Sequence, residues 1–360
     1  MPRDGVATGP AGVRPPGRPW NSRPHGDVPG LIQANRPVVP AIASTIATDT
    51  WEARVDDVLV VGEALVDVVL TRDGTSTEHP GGSPANVALG LARLGRQVHL
   101  LTRIGDDARG DGIRAHLEAS GVRLEPGSVV AGPTSTAAAT IDEAGVASYE
   151  FAIDWALPDP VALGAATALH TGSIAAFLPP GGDAVVALLE RAAGHVTLTY
   201  DPNARPRLMG DPVAALARVE RIVRRCDVVK VSDQDLEWLT PGQDPVHVAT
   251  RWLALGPALV VVTRGGDGSS AVAASGRVDL AAPVVPVVDT VGAGDAFMAG
   301  LIDHLAGAGL LGADRRAALR AATTDDVRAM LAHASRIAAI TCSRAGANPP
   351  TRAELVAPTA

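Results

Sequence analysis

From Asp57 onward, short β-branched apolar runs alternate with segments of helical period. VLVVGEALVDVVL (58–70), VHLLTRIG (98–105), ALHTGSI (168–174), VTLTYDPN (196–203), CDVVKVS (226–232) and ALVVVTRG (258–265) read as strands. They are apolar without alternation, as in strands covered on both faces. Between them, Ser83 as N-cap and Pro84 in the first turn open a helix that Gly95 closes, with Val87, Leu91 and Leu94 on one face. Asp111 to Ser120 reads as a second helix ending at Gly121, and long helices are expected near 295–308 and 324–341. This order predicts an α/β fold, a mostly parallel sheet with helices on both faces and ligands at the carboxyl ends of the strands. Two segments fall outside the rhythm. STAAATID and VASYEFAI, joined by Glu143, Ala144 and Gly145, read as a hairpin in a smaller sheet, and GDG (266–268) starts another hairpin.

The chain of 360 residues is 46% hydrophobic and 19% charged, enough for a sizeable core. A net charge of -8 argues against a nucleic-acid or membrane-surface partner. Cys226 and Cys342 provide neither a disulfide framework nor a zinc cluster, which points to a reducing cytoplasm. His79, His170 and the other histidines show no metal spacing. No stretch is apolar enough to span a membrane. The first 55 residues are rich in Pro and Arg and lack periodicity. They read as a disordered tail, or as residues upstream of the true start, and as dispensable for activity. Lys230 is the only lysine; Arg carries the remaining positive charge.

The chemistry concentrates in DTVGAGDAFMAG (289–300). An expected strand, VVPVV (284–288), leads into it and a helix begins near Gly294. A helix start offers N–H groups without internal partners and a dipole that favours anions, and the glycines allow close approach. The loop is therefore a phosphate cradle. It ends in Asp295, which would repel phosphate unless it accepts the proton of a hydroxyl attacking phosphorus. Neither a Walker A loop nor a dinucleotide fingerprint is present. A glycine-rich turn with a first-turn acid is the plainer alternative for this loop taken alone. A second loop, HPGGSPANVALGLARLG (79–95), adds Gly81, Gly82 and Asn86, and Asp67 ends the first apolar run. Asp and Asn together suit sugar hydroxyls.

GGSPANVALGLARLG and DTVGAGDAFMAGL resemble the N- and C-terminal signatures of the ribokinase-like (PfkB) family of carbohydrate kinases, in the expected order. The resemblance covers roughly 57–352. It implies a three-layer α/β/α domain over about 56–358, with a small β-sheet lid near 68–80 and 129–152. It implies transfer of the γ-phosphoryl group of ATP to a sugar hydroxymethyl group with Mg²⁺. Asp295 would be the base, with Gly292, Ala293 and Gly294 as the anion hole. Asp67, Gly81, Gly82, Asn86, Asn203 and Arg205 would meet the sugar, although Arg205 is equally suited to phosphates. Ser232, Thr263, Gly265, Gly268, Gly346, Ala347 and Asn348 would line the nucleotide. Asp289, with the backbone near Val291 and Gly346, would line a K⁺ site. The family's Asn-x-x-Glu acid, which orients water on Mg²⁺, is replaced by Ser232-Asp233-Gln234-Asp235, one methylene shorter at Asp235. GEALVD, IGDD and DPNARP look most like bacterial fructokinases. Kinases of 2-keto-3-deoxygluconate, ribose or nucleosides, and a non-catalytic sugar sensor, are the alternatives. The lid, with Tyr149 and Phe151, is also a candidate homodimer surface.

Overall fold

The computed structural model describes residues 56–70, 75–141, 147–158 and 160–356. The expected tail and the residues joining the hairpin lie outside them, as does the side chain of Tyr149. A nine-stranded sheet forms the centre. Across it run Arg123–Leu124, Gln97–Leu101, Asp57–Val61, Ala168–Gly172, Thr197–Asp201, Val228–Ser232 and Leu259–Thr263, all parallel, then Ser269–Ala273 and Gly276–Leu280, antiparallel. The hairpin expected at 266–268 joins Leu259–Thr263 to Ser269–Ala273.

Strand alternation divides the core into two layers. Val58, Val60, Leu259 and Val261 face one cluster, with residues of the helices Ser83–Arg93, Ala293–Gly307 and Thr324–Cys342. Leu59, Val61, Val260 and Val262 face the other, with the helices Gly181–Ala192, Pro212–Val223 and Pro245–Leu253. Both faces of every central strand are thus covered, which explains why these strands read as continuous apolar runs. The arrangement is a three-layer α/β/α sandwich.

A second, four-stranded sheet holds Ser76–Gly81, Leu65–Leu70, Thr136–Ile141 and Ala147–Ala152. The last two pair antiparallel, as the hairpin reading expects.

Several expected boundaries differ. The run 58–70 is two strands, Asp57–Val61 in the main sheet and Leu65–Leu70 in the small one, with a turn at Gly62 to Ala64. The run 98–105 likewise breaks after Leu101, and Ile104–Gly105 pairs with Val129–Val130. The second helix spans Ala108–Glu118, because Asp107 caps the Gly110 N–H at 2.9 Å. The segment 284–288 is not a strand: Val284, Val287 and Val288 are exposed. Pro283 and Pro286 remove two of the N–H groups that a ladder would need. Finally, Gly82, not Ser83, is the N-cap of Ser83–Arg93.

Two of these helices meet closely. A Cβ built on Gly90 would lie 2.8 Å from the Cβ of Ala299, so the helices Ser83–Arg93 and Ala293–Gly307 touch where one has no side chain. Gly90→Val is expected to overpack this contact and cost about 1–3 kcal/mol. Urea unfolding checks this, and an unchanged midpoint would contradict the close approach.

Candidate active site

The start of Ala293–Gly307 is set by Gly292, whose φ of 74° is left-handed and whose built Cβ would come within 2.6 Å of the Ala347 Cβ. A side chain there would be both strained and obstructed. The first intrahelical bond is Ala296 N–H to Gly292 C=O. The N–H of Ala293 reaches Thr290 C=O at 3.2 Å. Those of Gly294 and Asp295 have no acceptor within the helix, as at any helix start.

Asp295 follows in the same turn, buried at 8% exposure. Ser83 Oγ donates to its Oδ1 at 2.7 Å, and Asn86 Nδ2 donates to its Oδ2 at 2.9 Å. Ser83 and Asn86 are three residues apart on one helix, so both side chains leave the same face. A carboxylate has about four lone-pair positions. Two are used to orient it, and the others can accept a proton.

Beneath this turn lies Lys230. A Cβ on Gly294 would sit 2.9 Å from its Nζ. The ammonium donates to Asp201 Oδ2 at 2.8 Å, and both groups are buried. Burial pushes the Asp201 carboxyl up to about 6 while Lys230 opposes the rise. For Lys230, burial works against the charge, but Asp201, Asp235 and Asp295 outweigh it and raise its pKa. One ammonium thus balances three acids at the carboxyl end of the sheet.

Asp235 serves local structure. Its Oδ1 accepts Ala204 N–H at 2.7 Å and its Oδ2 accepts Ser232 N–H at 3.0 Å, while Ser232 Oγ accepts Asp235 N–H. This capping box ties the Val228–Ser232 exit to the loop that carries Asn203 and Arg205. Asn203 has a φ of 37°, unusual for a residue with a side chain. Arg205 Nη1 donates to Asn203 Oδ1 at 2.7 Å and to the Asn203 and Ala204 carbonyls.

Asp67 lies on Leu65–Leu70, opposite His79. A Cβ on Gly81 would be 2.1 Å from its Oδ2, so the carboxylate rests on Gly81, next to Gly82. Burial raises its pKa, Arg205 and His79 oppose this, and Asp295 adds to it. The charge of Asp295 is thus felt at Asp67 across the site.

The expected nucleotide residues form two groups. Asp289 accepts the N–H groups of Val291 at 3.0 Å and Gly346 at 2.8 Å, and these hold its pKa down. With the contact of Gly292 on Ala347, this fastens the loop 289–292 to 346–347. Asn348 is held further back by Arg93, which also donates to Pro349 C=O at 2.8 Å. In the second group, Ser232 pairs with Thr263 at the ends of adjacent strands. The turn Gly265–Asp267 follows, closed by Gly268 N–H to Gly265 C=O at 3.1 Å.

Among the described residues, no group of three or more His, Cys, Asp or Glu side chains is arranged to hold a metal ion. Magnesium that accompanies phosphates needs only one or two carboxylates and keeps several waters. Asp235, with lone pairs remaining on both oxygens, fits that water-mediated use. No described helix is long and apolar enough to cross a membrane.

Two contributors escape a motif-based reading. Ser83 was expected to cap its helix, and its hydroxyl instead orients Asp295. Lys230 matches no phosphate motif. The one trace of it in the sequence is that it is the single lysine among 31 Lys and Arg residues.

A buried carboxylate, oriented by two donors at a glycine-opened helix start, is suited to take a proton beside a bound anion. The model of the pfkB family of carbohydrate kinases matches residues 55–354. A fructokinase of Rhizobium leguminosarum bv. trifolii is 36% identical over 263 residues, covering 69% of this chain and 79% of that protein. A fructokinase of Klebsiella pneumoniae is 36% identical over 268 residues, covering 70% and 85%. Among solved structures, the ATP-bound fructokinase of Xylella fastidiosa superposes with a TM-score of 0.71 at 24% identity, over 81% of this chain and 93% of that one. A fructokinase double mutant of Vibrio cholerae, bound to fructose, ADP and potassium ion, gives 0.66 at 25% identity, over 82% and 94%. The chain belongs to the pfkB family of carbohydrate kinases.

Proposed function

We propose that this ATP-dependent sugar kinase phosphorylates fructose on its terminal hydroxymethyl group, giving fructose 6-phosphate. The observation that carries the reading is the Asp295 carboxylate held by Ser83 and Asn86 at the mouth of the Gly292–Gly294 turn. Asp295 takes the proton of the sugar hydroxyl as its oxygen bonds to the γ-phosphorus and the bond to ADP breaks. The N–H groups of the Gly292, Ala293 and Gly294 turn and the helix dipole stabilise the charge on the phosphoryl oxygens. Lys230 keeps this pole of the site from becoming purely acidic. Magnesium, when bound with the nucleotide, neutralises phosphate charge, and Asp235 would hold it through water. Asp289, which accepts the N–H groups of Val291 and Gly346, would shape a potassium site, in line with the ion bound in the Vibrio cholerae relative.

Asp67, Gly81, Gly82, Asn86 and Asn203 are assigned to the sugar hydroxyls. Fructose is supported by the names of the relatives and by electrostatics. Asp67 and Asp295 already oppose each other, so a sugar acid would add a third negative charge. Arg205 is the arginine nearby that would favour an acid, and its Nη1 is engaged by the Asn203 loop. Thr263, Gly265, Gly268, Ser232, Gly346, Ala347 and Asn348 are assigned to the nucleotide. The small sheet would close over the sugar as a lid and offer a surface for a homodimer. Residues 1–55 would be dispensable, and the cytoplasm is the proposed compartment.

A panel of fructose, 2-keto-3-deoxygluconate, ribose and adenosine, read by ADP release, tests the substrate. Fructose is expected to lead by at least about tenfold in kcat/KM. A lead for the sugar acid would overturn the choice and turn attention to Arg205.

Lys230→Met should leave Asp201 buried without its partner and cost about 3–5 kcal/mol. Burial, with the charges of Asp235 and Asp295, raises Asp201, and without the ammonium its folded pKa rises further above the unfolded value. The folded variant then holds a proton that the unfolded chain has released, so its stability falls as pH rises through that window. The deficit should be larger at pH 8 than at pH 5, and adding Asp201→Asn should recover much of it. Denaturant melts at the two pH values check this, and a pH-independent deficit would contradict it.

A further inference from the structure

Glu63 belongs to the turn Gly62 to Ala64, where the chain leaves the main sheet for the small one. It is 4% exposed. Its Oε2 accepts Ala175 N–H at 3.1 Å, and Ser173 hydrogen-bonds to the same carboxyl. Ser173 has a φ of 55°, which costs about 1–2 kcal/mol for a residue with a Cβ. Its turn, Ser173–Ala176, follows the strand Ala168–Gly172 directly. On its other side the Glu63 turn presses on the sugar loop. A Cβ on Gly82 would be 2.4 Å from Glu63 C=O, and one on Gly62 would be 2.2 Å from Pro84 Cγ. Asp67 stands four residues further along the same strand that leaves this turn.

We infer that Glu63 is a positioning residue for the sugar: it locks the crossover between the two sheets to the strained Ser173 turn, and so sets where Asp67 stands relative to Asp295. The inference rests on the assignment of Asp67 to the sugar. Strain of this kind persists only where surroundings over-determine it, and the Glu63 carboxyl supplies acceptors on both sides of the turn. Burial raises that carboxyl to about 7, with Ser173, Arg205 and Ala175 opposing the rise. An amide of the same shape is therefore a fair substitute near neutral pH.

The test compares Glu63→Gln, Glu63→Ala and Ser173→Ala in the full chain, with the sugar that the wild type phosphorylates best. Glu63→Ala should raise the sugar KM about tenfold or more and leave the ATP KM within about twofold. Glu63→Gln should stay near wild type, because its amide oxygen still accepts Ala175 N–H. Adding Ser173→Gly to Glu63→Ala should lower the sugar KM again, since glycine holds that φ unaided. Ser173→Ala reaches the same turn from its other side, and should raise the sugar KM even if Glu63→Ala yields no folded protein. A melting temperature that falls while the sugar KM stays unchanged, an equal rise in both KM values, or no rescue by Ser173→Gly would overturn the inference. Asp67→Asn separates the two levels: if it leaves the sugar KM unchanged, the assignment of Asp67 fails. If it raises that KM and Glu63→Ala does not, the role of Glu63 fails.

Discussion

Ser83 and Asn86 reach Asp295 across more than 200 residues of sequence, and the rest of the site is arranged around those two hydrogen bonds. They require two helix starts to meet, one following the small sheet and the other following the exposed segment 284–288. Contact at Gly90 and Ala299 brings the helices close enough. Burial of the carboxylate strengthens every interaction that it makes, because little water screens it. The base, the sugar loop and the anion-binding turn are thereby one mechanical unit and not three independent motifs.

Concentrating acids at this end of the sheet creates a problem that Lys230 answers. Asp201, Asp235 and Asp295 all act on its charge. Arginine would bring a larger, planar head to a place where a Cβ on Gly294 would already crowd the ammonium. A lone lysine in an Arg-rich chain is consistent with that geometry. The Lys230–Asp201 pair also shows why a buried ion pair can matter without adding net stability: removing one member strands the other.

The alternation of apolar runs and helical segments made the main sheet legible, because continuous burial on both faces leaves a plain pattern in Val228–Ser232 and Leu259–Thr263. Boundaries were less legible. Gly62 to Ala64 carries the chain from one sheet to another inside an unbroken apolar run, and nothing in residue type marks the change of partner. Val284 to Val288 has strand composition but no ladder to join, with Pro286 inside it and Pro283 just before it. Within the site, Asp295 and its glycines stood out because an acid after a phosphate cradle is a chemical conflict. Ser83 did not, since a serine at a helix start has a simpler capping role. The coupling of Glu63 to Ser173 was beyond reach, because it depends on a backbone conformation that side-chain pattern does not encode.

Asp295→Asn tests the central claim most directly. The amide can turn its oxygen to Asn86 and its NH₂ to Ser83, so the packing and both contacts survive. The proton acceptor does not. The account predicts a fall in kcat of about a hundred- to ten-thousandfold, with sugar and ATP dissociation constants nearly unchanged. Near-full kcat would contradict it, and Asp295 would then be only an acid that favours the helix dipole.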